Sequence, residues 1–205
     1  MPSLCKRSTD VSLIIPIYNL EHHIQPMLDS LAAQRTDYAT ETIFVLNNCT
    51  DKSEDIIRAS GIGEILYCTK QGCGCARNVG LDHSTGEYIW FLDGDDWLLS
   101  DTAIQEALDV AQGQNLIRVA WESNSFRLNY FSMVWQYVIH NKLAKAVRFP
   151  DYQPSEDDAY MEKILAMAGY NRFNFSFLPT TRELYYYNYL RDGSNMQRYF
   201  SGEKI

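Results

Sequence analysis

A chain of 205 residues, 46% of them apolar, is long enough for one generous domain with a packed core. Acidic residues (26) outnumber basic ones (18), giving a net charge of −8 without a Lys/Arg cluster, which excludes the basic face of a nucleic-acid binder. With no signal-like start, no run near the ~20 apolar residues of a membrane span, and five irregularly spaced cysteines (Cys5, Cys49, Cys68, Cys73, Cys75), the expectation is a soluble cytoplasmic protein with reduced thiols, whole or as a module of a longer multidomain chain.

Val11 to Ile17 (VSLIIPI) is short, apolar and β-branched, the pattern of a buried parallel strand. Leu20 to Gln34 has Ile24, Met27, Leu28 and Leu31 at helical spacing. Thr42 to Leu46 reads as a second buried strand, Asp51 to Ala59 as a short helix and Glu64 to Cys68 as a third strand. Gln71 to Asp82 reads as helix and Tyr88 to Leu92 as a fourth strand. Four strand–helix alternations predict an α/β layer with a Rossmann-like, mostly parallel sheet flanked by helices. Beyond Asp101 the pattern changes. Ala103 to Ala111 is a predicted helix, Leu116 to Trp121 a strand, Phe131 to Ala146 an aromatic-rich helix, Ser155 to Ala168 an acidic-headed helix and Glu183 to Tyr189 a strand; the tail from Arg191 is polar.

Ligands of such sheets sit beyond the carboxyl ends of the strands. Three polar groups occupy those places: Tyr18-Asn19, Asn47-Asn48 and Asp93-Gly94-Asp95-Asp96. Three carboxylates after a buried strand repel one another, and a divalent cation would relieve that; oxygen-only ligands select magnesium or manganese. An acidic turn with Asp93 or Asp96 capping the next helix explains the same residues. Asn47-Asn48 reads either as a plain turn with an asparagine in the left-handed region or as a ligand contact. Ser155-Glu156-Asp157-Asp158 reads either as a cap with acids on the helix dipole or as the source of a general base. The Gly72-Cys73-Gly74 run mimics a dinucleotide loop, but the third glycine position holds Arg77, so NAD binding is rejected. Trp97 and Trp135 are candidate sugar contacts, and none of the four histidines is assigned a role.

VSLIIPIYN, NNCTDKSEDI and GCGCARNVGLDHSTGEYIWFLDGDDWL, in that order, resemble the signature of family 2 glycosyltransferases. SEDDAYMEKI and YYYNYLRDGSN extend the likeness to roughly residues 11 to 195. The resemblance implies a GT-A fold with a small additional antiparallel element in one domain, a nucleotide-sugar half to about residue 100 and an acceptor half after it. It implies that Pro16 and Tyr18 pack on the donor base, that Asn47 bonds the base where the family has an aspartate, and that Arg77 lines the nucleotide pocket. Asp95 would bind Mn²⁺ or Mg²⁺, Asp93 the ribose or the metal, and Asp157 would be the catalytic base. Arg191 and Ser194 would approach the diphosphate. The implied activity is inverting transfer from a nucleoside diphosphate sugar, UDP-linked in preference, to a glycan or glycoprotein hydroxyl. A catalytically weak nucleotide-sugar or carbohydrate-binding module and a sugar nucleotidyltransferase are the alternatives. The first would lack a base, and the second would carry a Gly-rich, basic loop where this chain reads PIYNLEHH.

Overall fold

The computed structural model describes residues 8–123, 133–151, 156–170 and 179–188. Eight strands among them form one sheet: β1 (Val11–Ile17), β2 (Thr40–Asn47), β3 (Glu64–Cys68), β4 (Tyr88–Phe91), β5 (Trp97–Leu98), β6 (Leu116–Ser123), β7 (Tyr137–His140) and β8 (Pro179–Tyr187), in the order β3-β2-β1-β4-β7-β6-β8-β5. The half containing β3, β2, β1 and β4 is parallel throughout; β7 runs antiparallel to both β4 and β6, and β5 antiparallel to β8. The mostly parallel sheet with a smaller antiparallel element is as expected from sequence.

Helices cover both faces, because the strands alternate between two apolar clusters. Leu13, Ile15 and Ile17 of β1 pack with Phe44, Trp90, Met27 and Leu28 of α1 (Gln25–Ala32), and Ala107 and Leu108 of α4 (Ala103–Ala111). Ile14 points the other way, joining Ile89 and Phe91, Leu81 of α3 (Cys73–His83), and Tyr160, Met161 and Ile164 of α6 (Glu156–Met167). Gly80 lets α3 lie directly on β1: a Cβ there would meet Ile14 Cγ2 at 2.3 Å. The two remaining helices, α2 (Ser53–Ser60) and α5 (Asn141–Ala144), are short.

The β1–β4 ladder stops short of the end of β1. The ladder between β1 and β4 ends at the Ile14–Phe91 pair, and the Ile14 carbonyl still accepts from Leu92 N–H at 3.0 Å. Two residues on, the position facing β4 belongs to Pro16, which has no N–H to offer. The ladder is not continued past it, and the turn after β4 runs against the end of β1. Gly94 makes this approach possible, since a Cβ would come within 2.6 Å of Ile17 Cδ1 and 2.8 Å of Leu20 Cδ1.

Two element assignments are corrected, and one short strand is new. The helix expected over Phe131 to Ala146 is, in its described part, a 3₁₀ turn (Val134–Gln136), strand β7 and the short α5. Tyr137, Val138 and Ile139 are buried, and Val138 and Ile139 are paired on both sides, so sheet closure overrides any local helical preference. α1 begins at Gln25 rather than Leu20, because Ser53 Oγ takes the Leu20 N–H at 2.7 Å and holds that stretch as a turn. The two-residue β5 has no sequence signal of its own and exists through its pairing with Tyr185 and Tyr186. Among the described residues, no helix is long and apolar enough to cross a membrane.

Candidate active site

Three strand ends converge at the end of β1. After β1, Tyr18 is half exposed (51%) and Asn19 takes a left-handed φ of 50°. Asn19 Oδ1 accepts from Thr50 N–H (2.8 Å) and Asp51 Oδ2 accepts from Glu21 N–H (2.9 Å), so the loop after β2 is pinned to the loop after β1. Asn47 closes the other side. Its Nδ2 donates to the carbonyls of Cys68 (3.0 Å) and Lys70 (2.7 Å), and its Oδ1 accepts from Gly72 N–H (2.9 Å). At 3% exposure, that amide is committed to the β3–α3 loop. Asn47, expected to contact the base, is thus placed with its polar atoms bonded to the chain. Asn48, with φ 55°, is the left-handed turn residue.

The Asp turn divides its three acids among different partners. Asp93 Oδ1 accepts from Arg77 Nη2 at 2.8 Å. Asp96 is wholly buried; Tyr185 Oη donates to its Oδ2 (2.5 Å) and Asn188 N–H to its Oδ1 (2.8 Å). The same Tyr185 oxygen accepts from Asp93 N–H (3.1 Å), and Asn188 Nδ2 donates to the Asp95 carbonyl (3.3 Å). Asp96 thus latches the turn to β8. Burial, then the charges of Asp95 and Asp93, push its carboxyl well above the usual carboxylate range. Neither the Arg77 bond nor the Tyr185 bond is made by Asp95, which is half-buried. Among the described residues, no three His, Cys, Asp or Glu side chains converge as a closed metal centre.

Beneath the turn lies a buried ion cluster. Arg77, on α3, is 2% exposed and bonds Asp93, Glu156 (3.3 Å from Nη1) and Asp157, the last through a very short contact. Its guanidinium carbon stands 5.4 Å from the Phe149 ring centroid. One cation among three carboxylates leaves an excess of negative charge. Burial raises the Asp157 carboxyl; Arg77 opposes this, Glu156 and Asp93 reinforce it, and the result is about 7. The structure thus brings Arg77, Asp93 and Asp157 together. Arg77, expected to line the nucleotide pocket, is turned into the protein.

Trp135 is not a sugar platform. It is 1% exposed, stacked between Tyr185 (4.7 Å) and Tyr187 (4.9 Å). Trp97 is half-buried and stacked on Tyr186 at 4.0 Å. Pro16 is buried within β1. Arg191, Ser194 and the predicted cap Ser155 lie outside the described residues. Of the cysteines, Cys49, Cys68, Cys73 and Cys75 are free thiols, buried or half-buried, as expected. Sequence reasoning missed the Tyr185 and Asn188 latch; the tyrosine run followed by an asparagine was its only trace. It also missed that Glu156 shares the cation with Asp157.

The segment that carries these strand ends and the helix start matches a known family. Residues 12–176 match the model of glycosyl transferase family 2. The glycosyltransferase GlyA of Streptococcus pneumoniae is 35% identical over 95 residues, which is 44% of this chain and 14% of GlyA. The minor teichoic acid biosynthesis protein GgaB of Bacillus subtilis is 36% identical over 106 residues, 49% of this chain and 12% of GgaB. S. aureus TarS 1-349 in complex with UDP-GlcNAc superposes with a TM-score of 0.76 at 21% identity, over 92% of this chain and 60% of that one. The mannosyltransferase PcManGT from Pyrobaculum calidifontis, in complex with GDP-Man and Mn²⁺, superposes with 0.73 at 19% identity, over 94% and 61%. At such identities the structural likeness is one of fold, the GT-A fold. The chain spans only a small part of GlyA and GgaB and about three fifths of the solved chains. The family match runs from β1 through α6 and so takes in both the strand ends and the helix that meet at Arg77: the chain belongs to glycosyltransferase family 2 and is a glycosyltransferase.

Proposed function

We propose that the chain moves a sugar from a nucleoside diphosphate sugar, UDP-linked in preference, to a hydroxyl of a glycan or glycoprotein, with Mn²⁺ or Mg²⁺ and with inversion at the anomeric carbon. The observation that carries this reading is the position of Asp157. It opens α6 and shares Arg77 with Asp93, which brings a carboxylate from the acceptor half against the strand-end turn of the nucleotide half. With its carboxyl raised to about 7, Asp157 is matched to taking a proton from a hydroxyl near neutral pH. Attack from its side, opposite the leaving diphosphate, inverts the configuration.

The donor set of the turn fits a cation that arrives with the substrate. Magnesium and manganese sites of this kind need one or two carboxylates plus phosphate oxygens rather than a protein cage. Asp95 would hold the ion, with Asp93 beside it, since the Arg77 bond uses Asp93 Oδ1. When bound, the ion supplies positive charge for the departing diphosphate. Asp96 keeps the turn in place through Tyr185 and Asn188. Tyr18, exposed just past the end of β1, would offer its ring to the base together with Pro16; Arg191 and Ser194, outside the described residues, would act on the diphosphate. TarS and PcManGT are solved with UDP-GlcNAc and with GDP-Man and Mn²⁺, which supports a nucleotide sugar and a divalent ion. The 205 residues would form one GT-A domain, nucleotide half before about residue 100 and acceptor half after it, working within a longer protein.

Calorimetry with UDP and Mn²⁺ tests the proposal. The wild-type protein should bind UDP only with the metal present, and Asp95→Ala should lose that binding while keeping its circular dichroism. Metal-independent UDP binding, or unchanged binding in Asp95→Ala, would remove the metal from the reading.

A further inference from the structure

Arg77 lies where a nucleotide contact is expected, yet its surroundings are those of an internal clamp. The side chain is buried under Phe149, and its two terminal nitrogens divide between the two halves of the site: Nη2 on Asp93, Nη1 on Glu156 and Asp157. The partners stand 16, 79 and 80 residues away in sequence. The helix carrying Arg77 is seated on β1 through Gly80, so the guanidinium is positioned by the rigid core rather than by a loop. Nε is buried without a hydrogen-bond partner, so the clamp rests on the planar Nη fork. A planar fork reaching two carboxylate-bearing elements at once is something a lysine ammonium, a point charge on a flexible stem, does not reproduce.

We propose that Arg77 is a positioning residue for transfer, a buried cation that docks the start of α6 onto the Asp93 turn and so fixes Asp157 toward the donor, without contacting the nucleotide. This rests on Asp157 being the base. A clamp of this kind acts on geometry: a shift on the order of 1 Å in a reacting group costs about a hundredfold in rate. It also places the two halves under one restraint, so loosening it should lower turnover and leave donor affinity nearly unchanged.

The experiment compares Arg77→Lys, Asp157→Asn and the double variant. Nucleotide release from UDP-N-acetylglucosamine and from GDP-mannose with Mn²⁺ gives the rate, and calorimetry with UDP and Mn²⁺ gives the affinity. Arg77→Lys should lose roughly ten- to a hundredfold in kcat, with UDP affinity within about threefold of wild type. In the Asp157→Asn background it should cause no further loss, because a residue acting through another has nothing left to position. UDP affinity falling in step with rate would make Arg77 a nucleotide ligand, and multiplying losses in the double variant would give it an independent role; either overturns the proposal. Wild-type turnover in Arg77→Lys overturns it while leaving the base assignment intact, whereas full activity in Asp157→Asn overturns both. If Arg77→Lys does not fold, the same comparison is made on Arg77→Lys/Glu156→Gln against Glu156→Gln, which leaves two carboxylates for one ammonium.

Discussion

Asp157 meets two opposing demands. As the proposed base it would have to be ionised to accept a proton, and it sits among other carboxylates in a setting whose desolvation favours its neutral form. With the carboxyl raised to about 7, kcat/KM should rise as pH climbs through neutrality and level off above it, because that quantity reports the free enzyme. A flat profile between about pH 5.5 and 8.5 would exclude Asp157 as the group that titrates. The same shift has a stability sign. A folded-state value above the unfolded one means that the native state holds the proton more tightly, so this group's contribution is full below about pH 4 and is lost as pH rises toward 7. Asp157→Asn should flatten that part of the stability profile and lower transfer by ~10²–10⁴-fold. A second residue-scale test concerns the latch. Tyr185→Phe deletes the hydroxyl shared by Asp96 and Asp93 N–H, leaving a buried acid one partner short, which costs about 1–3 kcal/mol. Denaturant unfolding should show that loss without a change in m-value. An unaltered midpoint would mean that the Asp turn does not depend on β8.

At the scale of elements, α3 decides where Arg77 stands, and Gly80 decides where α3 stands. Alanine in place of a mid-helix glycine gains about 0.5–1 kcal/mol of backbone entropy. Here the added Cβ meets Ile14 Cγ2 at 2.3 Å, in a strand buried on both faces, and overpacking typically costs about 1–3 kcal/mol. The clash should win: Gly80→Ala should be destabilised and slow, and Gly80→Ala/Ile14→Ala should be less unstable than the sum of its parts. Additive losses would show that the helix does not bear on Ile14. Elements with an unambiguous period are legible in the residues alone. β1, the core of β2, β3 and β4 are continuous apolar runs, and α4 and α6 carry clear stripes and acidic starts. The segment leading to Ala146 is not, because Tyr137 to Ile139 becomes a strand only by filling the space between β4 and β6, a long-range condition that no local window contains. The site is legible to the same extent. The acidic turn after β4 and the acidic start of α6 stand out in the residues alone, whereas the choice of Asp157 within that start comes from the likeness to family 2. That Asn47 turns inward, and that Asp96 belongs to Tyr185 and Asn188, depends on neighbours 21 to 92 residues away.

For the whole molecule, Arg77 ties the Asp93 turn to the start of α6, so a donor bound at the strand ends, as proposed, would touch one half directly and the other through the ion cluster. Ligand binding should therefore stabilise the fold globally, as one cooperative unit. A ligand at 100 times its Kd adds about 2.7 kcal/mol. For a chain of this size, each kcal/mol shifts the melting temperature by about 2–4 °C. UDP with Mn²⁺ should accordingly raise Tm by roughly 5–11 °C in a single transition, and EDTA should abolish the shift. The choice of base is read in the same assay. With its amide bonded to the β3–α3 loop, Asn47 would offer no charge-assisted contact to a base, and on the proposed reading stacking on Tyr18 would carry the recognition. Stacking alone discriminates weakly, so UDP should lead GDP by less than the tenfold that one well-placed charged hydrogen bond would give, and Tyr18→Ala should cost both nucleotides equally. A large UDP preference that survives Tyr18→Ala would place base recognition on other residues. A shift with GDP larger than with UDP would make the donor a GDP-sugar while leaving the metal and the base where they are.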